Sequence, residues 1–85
     1  MLARKSTVDQ IEVDRNNNVN VRLVLLIVDG EQEVSSRYHR TSIPPEGDPA
    51  AQMSYVNQHL AAMGEEPVPQ ADIDRIAAFH ALANQ

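Results

Sequence analysis

Apolar side chains fall at alternate positions along the first half of the chain, in stretches separated by turn-forming segments. These segments are the asparagine run at 16–18 and the dipeptide Asp29-Gly30. A period of two is typical of half-buried β-strands, and asparagine and glycine accept the left-handed backbone that tight hairpins need. The alternation therefore predicts a three-stranded antiparallel β-meander. The predicted strands lie near residues 6–14, 19–28 and 31–42.

The register of the second hairpin decides which side chains of the third strand face the core. A two-residue loop at 29–30 fixes the pairing, and successive residues then alternate between the two faces of the sheet. In that register Tyr38 is a core anchor and Arg40 lies on the same side. Arg37 and His39 point to the outer face.

The first hairpin admits two loop lengths. A three-residue loop pairs Arg15 with Val19, and a five-residue loop changes the partners without changing the faces. Either loop places Ile11 and Val13 on the core side.

The central strand is apolar on both sides from Leu23 to Val28, which is typical of a strand covered on both faces. The predicted register also places Arg22 opposite Arg37, and such a pair is unfavourable unless Glu12 or an external anion lies near it. Because a chain of this length buries only about 60% of its unfolded surface, we expect a second copy or another protein to complete the cover. The outer face is predicted to carry Val8, Val24, Leu26, Val28, Glu12, Asp14, Arg22, Arg37 and His39.

Beyond the third strand the apolar spacing changes from two to three and four, which indicates helices. Asp48 suits an N-cap, Pro49 the first helical position and Gly64 the residue after the helix. We expect helices over about 49–63 and 70–83. Their apolar stripes contain Met53, Val56, Leu60 and Met63, then Ile73, Ile76, Ala77, Phe79 and His80.

The predicted fold class is therefore α+β, a three-stranded antiparallel β-meander followed by two C-terminal α-helices. We expect a single domain over 1–85, with the meander at 6–43 and the helical segment at 48–85.

The residues that could perform chemistry are scattered. The chain has no cysteine, no serine with a positioned base and no paired carboxylates in a defined pocket. Its histidines, His39, His59 and His80, lie on three different predicted elements, so no metal site is expected. His80, Met53 and Met63 are interpreted as packing residues. We expect no catalytic site, no cofactor, no metal and no small-molecule ligand.

The net charge of −5 lies entirely in the second half, since residues 1–43 hold six basic and six acidic side chains. An acidic half repels phosphate backbones, which argues against a nucleic-acid binder. The longest apolar run, 23–28, is far shorter than the roughly 20 residues that cross a bilayer, and the N-terminus lacks the apolar segment of a signal peptide. We expect no association with a membrane. We expect the protein to be synthesised in a cytoplasm.

Five residues form the predicted partner contact: Arg22, Arg37, His39, Val24 and Leu26. A solvated ladder of charges is the simpler explanation of the basic members, because exposed cross-strand charges are common. A contact surface is the alternative, since arginine is enriched among interface anchors.

The segments "TVDQIEV", "VNVR", "DGE" and "YHRTSIPPEGD" together resemble a family of small proteins encoded by tailed bacteriophages and prophages near tail and tail-fibre genes. In that family a strand ending in Tyr-His-Arg leads into a turn with Pro, Gly and Asp and then a helical segment. The likeness covers residues 6–48. The turn here carries extra residues between Pro44 and Gly47, so the resemblance leaves the position of the following helix open.

The resemblance implies a non-enzymatic virion component, a small structural protein of the tail, baseplate or tail fibre that acts through protein–protein contacts. Its expected partners are phage tail proteins, itself as a homo-oligomer, or both. Its expected location is the virion tail, after synthesis in the bacterial host cytoplasm. The alternative is a non-virion phage effector or chaperone that binds a host or phage protein.

Overall fold

The computed structural model describes all residues 1–85, and it has the predicted α+β fold. The three strands are antiparallel neighbours in the order β1-β2-β3, and both helices follow them. The first strand begins four residues earlier than predicted. The elements are β1 (Leu2–Val13), β2 (Val19–Asp29), β3 (Gln32–Ile43), α1 (Pro49–Ala62) and α2 (Gln70–Ala83).

Both helices pack on one face of the sheet, which we call the inner face. The alternation of β2 sends Val19, Val21, Leu23 and Leu25 to this face, and all four are buried. The opposite, outer face carries no helix. The core consists of these four residues with Ile43, Met53, Val56, Leu60, Val68 and Ile76.

The sheet is longer than the helices that cover it. A 12-residue strand spans about 40 Å and a 14-residue helix about 21 Å, which fits the molecule's extents of 45 × 21 × 18 Å. Every residue from 32 to 38 is exposed. The end of the sheet near the β2–β3 turn therefore projects beyond the helices. Neither helix has the length and hydropathy of a membrane-spanning helix.

A β-bulge in β3 makes the predicted register of the second hairpin wrong. Asp29 pairs with Gln32, which alone would preserve the predicted faces, but the pairing then shifts and leaves Val34 as an extra residue. Because side chains alternate, one extra residue moves every later side chain of β3 to the other face. Arg37 pairs with Leu25 and His39 with Leu23 on the inner face, and Tyr38 and Arg40 lie on the outer face.

A second bulge, in β1, brings Val8 to the inner face. Asp9 is the extra residue, so Val8 pairs with Leu23 and packs against the core, contrary to the predicted outer position. The backbone N–H of Val8 and the hydroxyl of Thr7 both donate to the Asp72 carboxylate, at 3.2 and 2.8 Å. The first turn of α2 thus supplies the hydrogen-bond acceptor for these two donors of β1 beside the bulge.

The first hairpin has the five-residue loop, with Val13 paired to Val19. Asp14 organises the loop by accepting hydrogen bonds from the backbone of Asn16 and Asn18, and Asn17 takes a positive φ of 64°. The side chain of Asn18 also donates to Asp14, which lowers the pKa of that carboxyl. The loop placed Asp14 outside the strand, so the outer-face position predicted for it is wrong.

The turn at 44–47 precedes α1, which begins at Pro49. The Gly47 N–H donates to the Pro44 carbonyl at 2.9 Å, and a Cβ on Gly47 would lie 3.0 Å from the Pro44 ring. Only glycine fits this approach without movement of the turn. The ring Nε2 of His80, which is buried as predicted, lies 2.9 Å from the same Pro44 carbonyl oxygen, so the end of α2 is attached to the turn.

Asp48 is the predicted N-cap of α1. Its Oδ1 accepts from the backbone N–H groups of Ala50 and Ala51 at 3.0 and 3.4 Å. We expect Asp48→Ala to lower the free energy of unfolding by about 1 kcal/mol, the usual effect of removing such a cap. Urea unfolding measures it, with Asp74→Ala as the matched control, because Asp74 caps no helix. An equal effect of both substitutions would contradict the capping role.

Two helical packing predictions are wrong. Met63 is 42% exposed and Phe79 is 41% exposed. Val68, in the connector between the helices, fills the core instead, and its N–H is fixed by the Asn57 side chain at 2.8 Å. Tyr38, predicted as a core anchor, is 58% exposed because the bulge in β3 turns it outward.

Candidate functional site

The outer face combines an apolar strip with a polar concavity. The strip consists of Val24, Leu26 and Val28 on β2, which are half-buried although no helix covers them. Residues of the edge strands flank them, with Thr7 and Tyr38 beside Val24 and with Lys5 and Ser36 beside Leu26. The strip is therefore an apolar surface that a further protein layer could cover.

Two arginines oppose each other at one end of this strip. Arg22 of β2 pairs with Arg40 of β3, rather than with Arg37 as predicted. The Arg22 guanidinium binds Asp9, through Nε at 2.7 Å and through its NH2 group at 2.6 Å. It also lies over the Tyr38 ring, 4.7 Å from the ring centre. Arg40 forms no ion pair.

The arginine pair lines a concavity of about 490 Å³. The only apolar residue in its lining is Val21, which is buried and belongs to the core of the inner face, and amide, hydroxyl and carboxylate side chains accompany the two guanidinium groups. Ser42 donates to the Asn20 amide oxygen at 2.8 Å, which fixes one wall. The polar side chains of the lining are Gln10, Glu12, Asn20, Arg22, Arg40 and Ser42, with Thr41 beside them.

Arg37 belongs to a different network on the inner face, centred on the buried carboxylate of Glu65. Oε1 of Glu65 accepts from Arg37 and from Arg4, both at 2.7 Å. The Glu65 side chain is 2% exposed, whereas the arginines are largely exposed. Glu65 Oε2 and the hydroxyl of Ser6 are buried without a hydrogen-bond partner. The network ties β1 and β3 to the connector between the helices.

His39 also lies on the inner face, against α1. Its ring centre is 5.6 Å from that of His59. Partial burial lowers the pKa of His39, and the neighbouring charge of His59 lowers it further. His39 is therefore a neutral packing group at neutral pH.

The His39 environment predicts a stability change with pH. Because the pKa is lowered in the folded state, the unfolded chain takes up the proton first as the pH falls. The contribution is fully present above the ordinary value of 6.5 and is lost as the pH drops toward the lower, folded pKa. We expect His39→Gln to reduce the fall in urea midpoint between pH 7.5 and 5.5. An unchanged fall would contradict this assignment, and Gln58→Asn at an exposed position of α1 serves as a control.

The five predicted contact residues do not form one surface. Arg22, Val24 and Leu26 lie on the outer face as predicted, whereas Arg37 and His39 lie on the inner face, so their predicted position is wrong. The bulge at Val34 causes this division.

Four further residues of the two arginine clusters were not predicted as site residues: Arg40, Tyr38, Arg4 and Glu65. Strict alternation along β3 predicts that Arg40 and Tyr38 face the core, whereas the bulge places them on the outer face. No sequence spacing connects Arg4 to Glu65, which lie 61 residues apart.

Neither a metal site nor a known relative indicates a function for the chain. No group of three or more histidine, aspartate or glutamate side chains is arranged to hold a metal ion. Comparison with protein-family models finds no match, and no curated protein or solved structure matches the chain either. A function is therefore argued from the outer face and from the sequence resemblance.

Proposed function

We propose that the chain is a non-enzymatic structural component of a bacteriophage virion, associated with the tail, baseplate or tail fibre, and that it acts through protein–protein contacts of its outer face. The observation that carries the contact role is the apolar strip of Val24, Leu26 and Val28 on a sheet face with no helical cover. The sequence resemblance over residues 6–48 supplies the virion setting.

The arrangement of the strip supports a protein as the covering layer. The strip continues into Tyr38 and the arginine pair, and tyrosine and arginine are frequent anchors of protein interfaces. The occupant we propose is another tail protein, and self-association is a second mode of contact for the projecting end of the sheet.

Mass spectrometry of purified virions tests the setting. We expect the polypeptide in particles at a fixed ratio to tail proteins, and we expect Leu26→Asp to reduce its incorporation because the new charge lies in the strip. Particles that lack the wild-type polypeptide would refute the virion role. Recovery with a host protein instead, in a pull-down from infected cells, would favour an effector or chaperone.

A further inference from the structure

Of the two guanidinium groups in the concavity on the outer face, that of Arg40 has no ion pair. Arg22 and Arg40 are direct cross-strand neighbours, and like charges in this position repel. Asp9 pairs with Arg22 only, which leaves Arg40 unpaired. Glu12 lines the same concavity but forms no ion pair with either arginine. A carboxylate placed between the two guanidinium groups would relieve the repulsion.

Arg22 is held in place before any partner arrives. Asp9 fixes one edge of its guanidinium and the Tyr38 ring supports its face. Asp9 is the extra residue of the β1 bulge, so the bulge brings this carboxylate to Arg22. A preorganised donor loses less side-chain freedom on binding, which favours recognition at this point.

The surroundings favour a single carboxylate over a phosphate chain. Asp9 and Glu12 border the arginines, and the whole chain carries a net charge of −5, which opposes a polyanion. The apolar strip begins directly beside Arg22, because Val24 and Leu26 follow it on the same face of β2.

We propose that the Arg22–Arg40 concavity binds an aspartate or glutamate side chain of the partner protein, within an extended segment whose next alternate residues are apolar. Such a segment, acidic then apolar at every second position, matches the spacing of Arg22, Val24 and Leu26 along β2. The inference rests on the proposed contact role of the outer face and adds the chemistry of the partner.

Peptide titration of the ¹⁵N-labelled chain tests the inference. The probe is an acetylated and amidated peptide, Glu-Ser-Val-Ser-Val, and its control has glutamine in place of glutamate. We expect saturable shifts of the side-chain Nε–H signals of Arg22 and Arg40, with the glutamine peptide bound about tenfold more weakly, as expected for loss of a charged hydrogen bond. Arg40→Gln should cause the same tenfold loss. Arg75→Gln, an equal charge change on α2, should cause none.

Three results would overturn the inference. They are equal binding of the two peptides, an unchanged affinity in Arg40→Gln, or inorganic phosphate bound more tightly than the glutamate peptide.

Incorporation into virions distinguishes failure of the carboxylate site from failure of the proposed function. If Arg40→Gln enters particles as well as the wild type while Leu26→Asp does not, the contact role stands and the carboxylate site falls. If the wild type is absent from particles, the virion role falls, and the peptide titration still decides the site.

Discussion

We expect Leu23→Asp to abolish folding, whereas Leu26→Asp, three residues later on the opposite face, should leave the chain folded. Leu23 is fully buried at the centre of the inner face. Its cross-strand neighbours are Val8 and His39, and the lowered pKa of His39 keeps that ring uncharged at neutral pH. A carboxylate at position 23 would therefore lose its hydration with no cation already in place beside it.

The expected loss of free energy is comparable to the whole stability of the chain. Removing a buried leucine costs about 2 to 5 kcal/mol, and a buried unpaired charge adds several more. A domain of this length is typically stable by about 4 to 13 kcal/mol. Circular dichroism and urea unfolding measure the result, and a cooperative transition near the wild-type midpoint would refute the assigned face.

Leu26→Asp is the matched control because it changes the same residue type on the outer face. Leu26 is half-buried and lies between Lys5 and Ser36 in the sheet. A carboxylate there remains hydrated and can pair with Lys5. Folding should therefore persist, and only partner binding should decrease.

The faces of β2 were predictable from the sequence because this strand is regular. Every second residue from Val19 to Leu25 is apolar and buried, as alternation requires. The helices were predictable because Asp48 and Gly64 mark the ends of α1 by local chemistry. These features depend on neighbours in sequence, which a pattern can reveal.

In the edge strands, β1 and β3, the spacing of apolar residues indicates the two faces less clearly than it does in β2. In β1 the spacing of three between Val8 and Ile11 breaks the period of two, and this break marks the bulge at Asp9. In β3 the apolar residues Val34 and Tyr38 keep an even spacing that indicates a shared inner face. The structure instead places polar residues there, because the inner face of β3 lies at the margin of the helical layer.

The buried Arg4–Glu65–Arg37 network could not be predicted from spacing, since it depends on the path of the connector between the helices. Glu65 belongs to a helical half that appears acidic and solvated in the sequence. Its carboxylate is nevertheless among the few buried polar groups of the chain. The composition of this half predicts that Glu65 lies on the surface, whereas in the structure its carboxylate connects the sheet to the segment between the helices.

The double substitution Arg4→Met, Arg37→Met should be strongly destabilising because it leaves the Glu65 carboxylate buried and unpaired. Oε2 of Glu65 has no hydrogen-bond partner, so the two bonds to Oε1 are the only ones the side chain accepts. Breaking a buried ion pair by removing one partner costs about 3 to 5 kcal/mol, and we expect the double substitution to reach this range because both arginines are partly exposed. Methionine retains the apolar stem of arginine, so little packing is lost. Urea unfolding at neutral pH measures the change.

Adding Glu65→Leu to the double variant separates the charge from the packing. Replacement of a whole buried ion network by apolar side chains is often neutral or stabilising, so we expect the triple variant to recover at least the wild-type stability. Either single arginine substitution should cost less than the double, because one bond to Oε1 remains. A double variant within about 1 kcal/mol of the wild type, a difference typical of exposed ion pairs, would show that water reaches Glu65. Recovery in the triple variant would instead mean that the network adds no net stability to the fold.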